Sequence, residues 1–167
     1  GKNIILLIPQ ISLTPQTVNR FQSLFGDTVA VLHSNLSLSQ RMNEYKRIQN
    51  GDAKIVIGTR SAVFAPLKNI GLIIIDEEDE RTYKSEMSPR YHARDVAIKR
   101  CGMHNSVLVM ASATPSVESF YFAEENRFSL IKMKDRYTGS VLPDVKIVDM
   151  GDEMSSGNIS NFSDTLC

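Results

Sequence analysis

No run of apolar residues in the 167-residue chain approaches the roughly 20 that a membrane-spanning helix needs. The apolar stretch Ile4–Ile8 is far too short, and the amino-terminal residues lack a secretory signal layout. Cysteine is scarce: Cys101 and Cys167 form no metal-type pair. Cys101 and His104 have ligand-like spacing but no companions, which fits a helix end and its turn. Reduced thiols and a cytoplasmic location are therefore expected. A charge excess is also missing, since 19 Lys and Arg balance 19 Asp and Glu. That argues against strong autonomous nucleic-acid binding, which normally rests on a basic surface. There is no internal repeat. Nor does any Gly-x-x-x-x-Gly-Lys followed by Ser or Thr occur, so the chain carries no phosphate loop.

What is present is an ordinary globular composition, 42% hydrophobic and 23% charged, enough for one domain with a core. Short apolar runs at Ile4–Ile8, Val29–Leu32, Lys54–Ile57, Leu72–Ile75 and Val107–Met110 read as strands. Between them, a helix capped by Thr14, with Pro15 at its first position, runs to about Phe25 and stops at Gly26. A second helix starts at Ser37 or Ser39 and ends at Asn50-Gly51, with Leu38, Met42, Tyr45 and Ile48 at helical spacing. Further helices are predicted over Tyr91–Arg100 and Ser116–Glu124, and two later strands over Ser129–Met133 and Val145–Val148. Continuous apolar strands alternating with helices predict an α/β fold with a mainly parallel sheet covered on both faces. The Ser-, Gly- and Asn-rich residues 151–167 read as a linker or the truncated start of another unit, leaving 1–150 as the domain.

In such sheets ligands bind beyond the carboxyl ends of the strands. Five strand ends here carry polar residues: Pro9-Gln10, His33-Ser34-Asn35, Gly58-Thr59-Arg60, Asp76–Asp79 and Ser112-Ala113-Thr114. A hydrophobic strand delivering Asp76-Glu77 is the Walker B arrangement. Its first carboxylate can hold Mg²⁺ and its second can polarise a water for phosphoryl transfer, although a solvated acidic turn has the same composition. Ser112 and Thr114 can hydrogen-bond a neighbouring carboxylate, while Ser116 can equally serve as a helix cap. Arg60 either grips a phosphate or sits exposed at a turn. The loop holding Tyr83, Lys84, Arg90, Tyr91, His92 and Arg94 interleaves aromatics with cations, as single-strand stacking requires. Tyr91 and His92 could instead simply start the next helix, and His33 could be a structural strand-end histidine.

With these residues in order, the chain resembles the superfamily 2 helicases and, more closely, the bacterial replication-restart helicases. The resemblance covers nearly all of residues 1–150. Its most specific runs are Thr59-Arg60-Ser61-Ala62-Val63-Phe64-Ala65-Pro66 and Arg90-Tyr91-His92-Ala93-Arg94-Asp95. It implies a RecA-like three-layer sandwich, lacking the strand and helix around its phosphate loop. It assigns Asp76 and Glu77 to catalysis, with Asp76 on Mg²⁺ through water, and Asp79, Ser112 and Thr114 to the nucleotide and its sensing. It places Gln10, Thr14, Gln16, His33, Ser34, Thr59, Arg60, Ser61, Tyr83, Lys84, Arg90, Tyr91 and His92 on nucleic acid. Asp79 stands where the family usually has His, Gln10 where it commonly has Glu, and Pro89 where an aromatic can occur.

The resemblance further implies ATP and Mg²⁺ in a longer protein, zinc in a second-lobe region absent here, and single-stranded or forked DNA as substrate. Primosome and single-strand-binding proteins are the implied partners, and no membrane is involved. The chain opens two residues before a core strand without an initiator methionine, and is read as a piece of a longer protein, inactive as an ATPase by itself. The alternatives are a RecG-like translocase of the same superfamily, or a degenerate lobe that binds DNA or a protein without catalysis. A Gly-rich Lys-Thr or Lys-Ser loop encoded just upstream would separate the motor from the degenerate lobe.

Overall fold

The predicted apolar runs assemble, in a computed structural model, into one five-stranded parallel sheet. The structure describes residues 1–133, 145–157, 159–160 and 162–163. The strands are β1 (Asn3–Leu7), β2 (Val29–Leu32), β3 (Ile55–Gly58), β4 (Ile70–Ile75) and β5 (Val107–Met110), in the order β2-β3-β1-β4-β5. The helices are α1 (Pro15–Phe25), α2 (Leu38–Asn50), α3 (Ala93–His104), α4 (Val117–Glu124) and a short α5 (Met150–Ser155).

Apolar continuity explains the centre of the sheet. Ile5, Leu7, Val56, Ile57, Ile73 and Ile75 are all buried, because β1, β3 and β4 are flanked by strands on both sides and covered on their faces. Local chemistry sets the helix ends. The Thr14 hydroxyl accepts from the Thr17 N–H, and Pro15 needs no donor at the first position. Ser37, not Ser39, caps α2, in a reciprocal capping box with Gln40. Gly51 ends α2 at φ 86°, where a side chain would be strained. Helix α3 begins later than the apolar spacing predicts, because His92 leaves the helix and accepts from the Arg94 N–H as its cap.

Register is what makes the fold a site. Leu7 lies opposite both Gly58 and Ile75, Leu32 opposite Gly58, and Ile75 opposite Met110. All five strands therefore end in one row, and the residues that follow them emerge along one edge. Gly58 is required there: a Cβ would stand 2.2 Å from the Leu32 carbonyl oxygen and 2.6 Å from the Ala62 Cβ.

Two expected strands do not form. Ser129–Met133 and Val145–Val148 carry no strand pairing among the described residues, and Ile131, Met133, Val145 and Ile147 are exposed. Apolar alternation is not enough where no neighbouring strand supplies a ladder. The chain divides into a compact unit, Gly1–Ser129, and a second, Leu130–Cys167. Within the latter, Asp149 caps α5 by accepting from the Gly151 N–H at 2.8 Å. Cys167 lies outside the described residues.

The two outer strands differ in how their free backbone groups are treated. At β2, Glu44 of α2 accepts from the Val31 N–H at 3.1 Å and Arg47 donates to the Val29 carbonyl at 3.3 Å, the two side chains being paired at 2.8 Å. Among the described residues no side chain covers β5 in this way, and Val107 and Val109 are 60% and 43% exposed. An open apolar edge invites pairing with another chain. Self-association is expected to appear at high concentration by light scattering, and Val109→Lys is expected to shift it toward monomer. A strictly monomeric native chain would count against this.

Candidate functional site

The acidic turn after β4 is held on three sides. The Asp76 N–H donates to the Leu7 carbonyl at 2.9 Å, tying the turn to the end of β1. The Asp76 carbonyl accepts from the Tyr83 hydroxyl at 2.7 Å, and its side-chain Oδ1 accepts from the Glu77 N–H at 3.0 Å. The Asp76 carboxylate itself is exposed. Glu77 sits in the left-handed region at φ 47°, a conformation costing an ordinary residue about 1–2 kcal/mol. That turn aims its carboxylate outward, where Oε1 accepts from the Ser12 hydroxyl at 3.3 Å. A non-glycine residue held in this region is the kind of local strain that collects at working sites.

The carboxylate that Ser112 and Thr114 meet at the end of β5 is that of Asp79. The Ser112 hydroxyl donates to Asp79 Oδ1 at 2.5 Å and the Thr114 hydroxyl to Oδ2 at 3.1 Å. The Ser112 bond is the main reason the Asp79 carboxyl titrates below its usual range, with the Thr114 bond adding to it.

Glu78, to which the sequence assigned no role, and Arg94, expected among the cations of the stacking loop, instead form a buried network. Glu78 is 3% exposed. Its carboxylate accepts from the Ser116 N–H at 2.7 Å, the Ser116 hydroxyl at 3.2 Å and the Ser119 hydroxyl at 2.9 Å. Arg94 Nη1 stands 3.9 Å from the same carboxylate and donates to both serine hydroxyls at 3.1 Å. The Glu78 N–H also donates to the Ala111 carbonyl at 3.0 Å. The acidic turn, α3 and the start of α4 are thus closed into one polar cluster. No local pattern signals these distances; the only hint is an arginine inside an otherwise family-specific run.

The expected nucleic-acid residues divide into groups. Gln10 and His33 line an open groove of about 590 Å³ between α1 and α2. His33 Nδ1 accepts from the Asn35 N–H at 3.2 Å, shaping its loop, and Ser34 beside it is exposed. Thr14 is a helix cap, and Gln16 is exposed in the first turn of α1. Thr59 precedes the 3₁₀ turn Arg60–Phe64, with Ser61 exposed on it. Lys84, Arg90, Tyr91 and His92 line a second open depression, of about 620 Å³. Tyr91 packs edge-on against Phe64 with centroids 5.0 Å apart, and Arg60 lies 5.7 Å from the Tyr91 centroid.

Tyr83 is a correction. It is 1% exposed, so neither ring face is open for stacking on a base. Burial of an aromatic with its hydroxyl satisfied makes it a support for Asp76 instead. Burial also raises its phenol pKa, aided by the charges of Asp76, Glu77 and Glu80.

Magnesium normally binds one or two carboxylates and completes its shell with phosphates and water. Asp76, with one exposed carboxylate at the row of strand ends, fits that demand. Among the described residues no three His, Cys, Asp or Glu side chains converge as an all-protein metal cage. Among the described residues, no helix is long and apolar enough to cross a membrane.

Two outcomes follow from this geometry. Glu78→Ala leaves the Arg94 guanidinium buried without its carboxylate and is expected to destabilise the unit by about 3–5 kcal/mol in urea unfolding, whereas Ser119→Ala should cost much less. His92 is held below the ordinary imidazole value of 6.5, chiefly by burial and then by the charge of Arg94. A depressed folded pKa means the unfolded chain binds the proton first. The stability contributed by neutral His92 is therefore complete above the ordinary value and is lost as pH falls toward the folded one. His92→Asn, which keeps a capping side chain, is expected to flatten this part of the stability–pH curve.

Comparison with known proteins identifies the family of the chain. The DEAD/DEAH box helicase family matches over residues 1–121. The chain is 49% identical over 163 residues to replication restart protein PriA of Bacillus subtilis, covering 98% of this chain and 20% of that one. It is 48% identical over 153 residues to the PriA of Treponema pallidum, covering 92% and 23%. It is 42% identical over 171 residues to the PriA of Synechocystis, covering 99% and 21%. The chain thus spans about a fifth of the length of these relatives. In fold it is similar to the C-terminal domain of Saccharomyces cerevisiae Dbp5, solved bound to Gle1 and IP6 (TM-score 0.52, 18% identity, covering 80% of this chain and 72% of that one).

Proposed function

Because the chain belongs to the DEAD/DEAH box helicase family, we propose that it is part of the first motor lobe of a DNA-dependent ATPase and helicase acting in replication restart. The observation that carries this reading is the single row of strand ends on which exposed Asp76 and Glu77 stand beside the Asp79–Ser112–Thr114 cluster.

Asp76 would hold Mg²⁺ through its water shell, and a bound ion there would supply charge neutralisation for phosphoryl transfer. Glu77, turned outward by its left-handed backbone, orients and polarises the attacking water. Ser112 and Thr114 join the state of the acidic turn to the end of β5. Arg60, Ser61, Lys84, Arg90 and Tyr91 contact the strand through phosphates and base faces, with Gln10, Thr14, Gln16 and His33 along the same edge. The phosphate cradle comes from outside these residues, as does the zinc region, and the DNA path is shared with a second lobe. The working protein is cytoplasmic, acts on single-stranded and forked DNA, and meets primosome and single-strand-binding proteins.

A non-catalytic lobe is the second reading, favoured by the missing phosphate loop and the balanced charge. The two separate experimentally. In the full-length protein, DNA-stimulated ATP hydrolysis is expected, and Glu77→Gln should lower it by at least about 100-fold while nucleotide binding persists. The 167-residue chain alone should show no turnover. Absence of hydrolysis in the full-length protein would favour the non-catalytic lobe, and turnover by the isolated chain would refute its assigned incompleteness.

A further inference from the structure

Strand β2 closes one side of the sheet, and its backbone groups point alternately toward β3 and away from it. The carbonyls of Thr28 and Leu32 face inward, accepting from the Lys54 N–H at 2.8 Å and the Thr59 N–H at 3.1 Å. Val29 and Val31 stand between them, so the Val29 carbonyl and the Val31 N–H face outward, where a sixth strand would bind them. No strand lies there among the described residues. Two side chains of α2 occupy the place instead.

Glu44 and Arg47 reproduce what such a strand would offer. Glu44 Oε2 accepts from the Val31 N–H at 3.1 Å, as a carbonyl would. Arg47 Nη2 donates to the Val29 carbonyl at 3.3 Å and also to the Asp27 carbonyl just before the strand, as N–H groups would. The other terminal nitrogen, Nη1, donates to both Glu44 oxygens, at 2.8 and 3.0 Å. Residues three apart share one face of a helix, so the pair is assembled by α2 itself. A pair of this spacing on an open helix face contributes little to stability. This one is directed at the backbone groups of the sheet edge.

We infer that the Glu44–Arg47 pair is a plug that mimics a sixth strand and closes the β2 edge against pairing with a second copy of this chain. A second copy is the occupant that fits the opened edge, because each copy presents the same outward carbonyl and N–H. Two β2 strands running antiparallel would satisfy each other, the Val31 N–H of each meeting the Val29 carbonyl of the other. Such a contact uses the same surface on both copies and closes at two.

This blocking role is independent of the motor reading, and its test uses no ATP. The full-length protein and its Glu44→Gln, Glu44→Ala and doubly substituted Glu44→Ala, Arg47→Ala forms are compared by analytical ultracentrifugation over a concentration series. Hydrogen exchange is read at the Val31 amide in the same samples. Removing the pair should tighten self-association by about tenfold or more, the worth of one backbone hydrogen bond left for a partner to make. In the dilute alanine variants the Val31 amide should exchange fast, and it should slow again as the dimer forms. Glu44→Gln keeps an acceptor oxygen at the same reach and should behave as the native protein does. A pair that merely anchors α2 to the sheet would lower stability on truncation and leave the dimer constant unchanged, and that result overturns the plug. Association without renewed protection at Val31 overturns it too, as does association of Glu44→Gln equal to that of Glu44→Ala. Should the double variant fail to fold, the comparison of Glu44→Ala with Glu44→Gln decides by the same outcomes.

Discussion

The common register of five parallel strands is the constraint on which the rest of this chain depends. Because Leu7, Leu32, Gly58, Ile75 and Met110 fall in one row, residues as distant in sequence as Gln10 and Thr114 emerge on the same edge. A one-residue slip at β4 would move Ile73 and Ile75 off the fully buried face and carry Asp76 away from the end of β1. The register is held by burial on both faces of the central strands, and by Gly58, whose missing side chain lets β3 approach β2 and the following 3₁₀ turn.

On that edge the four acidic residues do different work. Asp76 and Glu77 present exposed carboxylates, while Asp79 turns toward Ser112 and Thr114. Glu78 points inward and is satisfied by Ser116, Ser119 and Arg94. The alternation follows from the turn: with Glu77 in the left-handed region, the chain reverses and sends the next carboxylate into the interior. An inward carboxylate is tolerable only because hydroxyls, an N–H and a guanidinium meet it there. The same contacts bind the start of α4 to the acidic turn, so the hydroxyls that engage Asp79 rest on a fixed base.

Much of this is legible in the amino-acid order. The five main strands, the capped starts of α1 and α2, and a carboxylate partner for Ser112 and Thr114 follow from apolar period, turn residues and strand-end logic, though which carboxylate it is does not. The misses share one cause, which is partners distant in the chain. Tyr83 has the surroundings of a stacking residue because its neighbours are cationic, yet the fold buries its ring and uses its hydroxyl. Ser129–Met133 and Val145–Val148 have strand-like composition, but no ladder forms at either among the described residues. Tyr91 is drawn out of α3 because its carbonyl accepts from the Ser85 N–H at 2.7 Å, a bond no local pattern signals.

The amino-acid order by itself determined the five strands of the sheet, the approximate spans and caps of α1, α2 and α4, and which polar residues stand at strand ends, because period, capping and turn chemistry act over a few residues. It also determined that no phosphate loop lies within these 167 residues. Only the tertiary structure decided which acid faces solvent and which is buried against Arg94, and that Tyr83 props Asp76. Those choices depend on packing and hydrogen bonds between residues far apart in the chain, and such contacts exist only once the sheet has set its register.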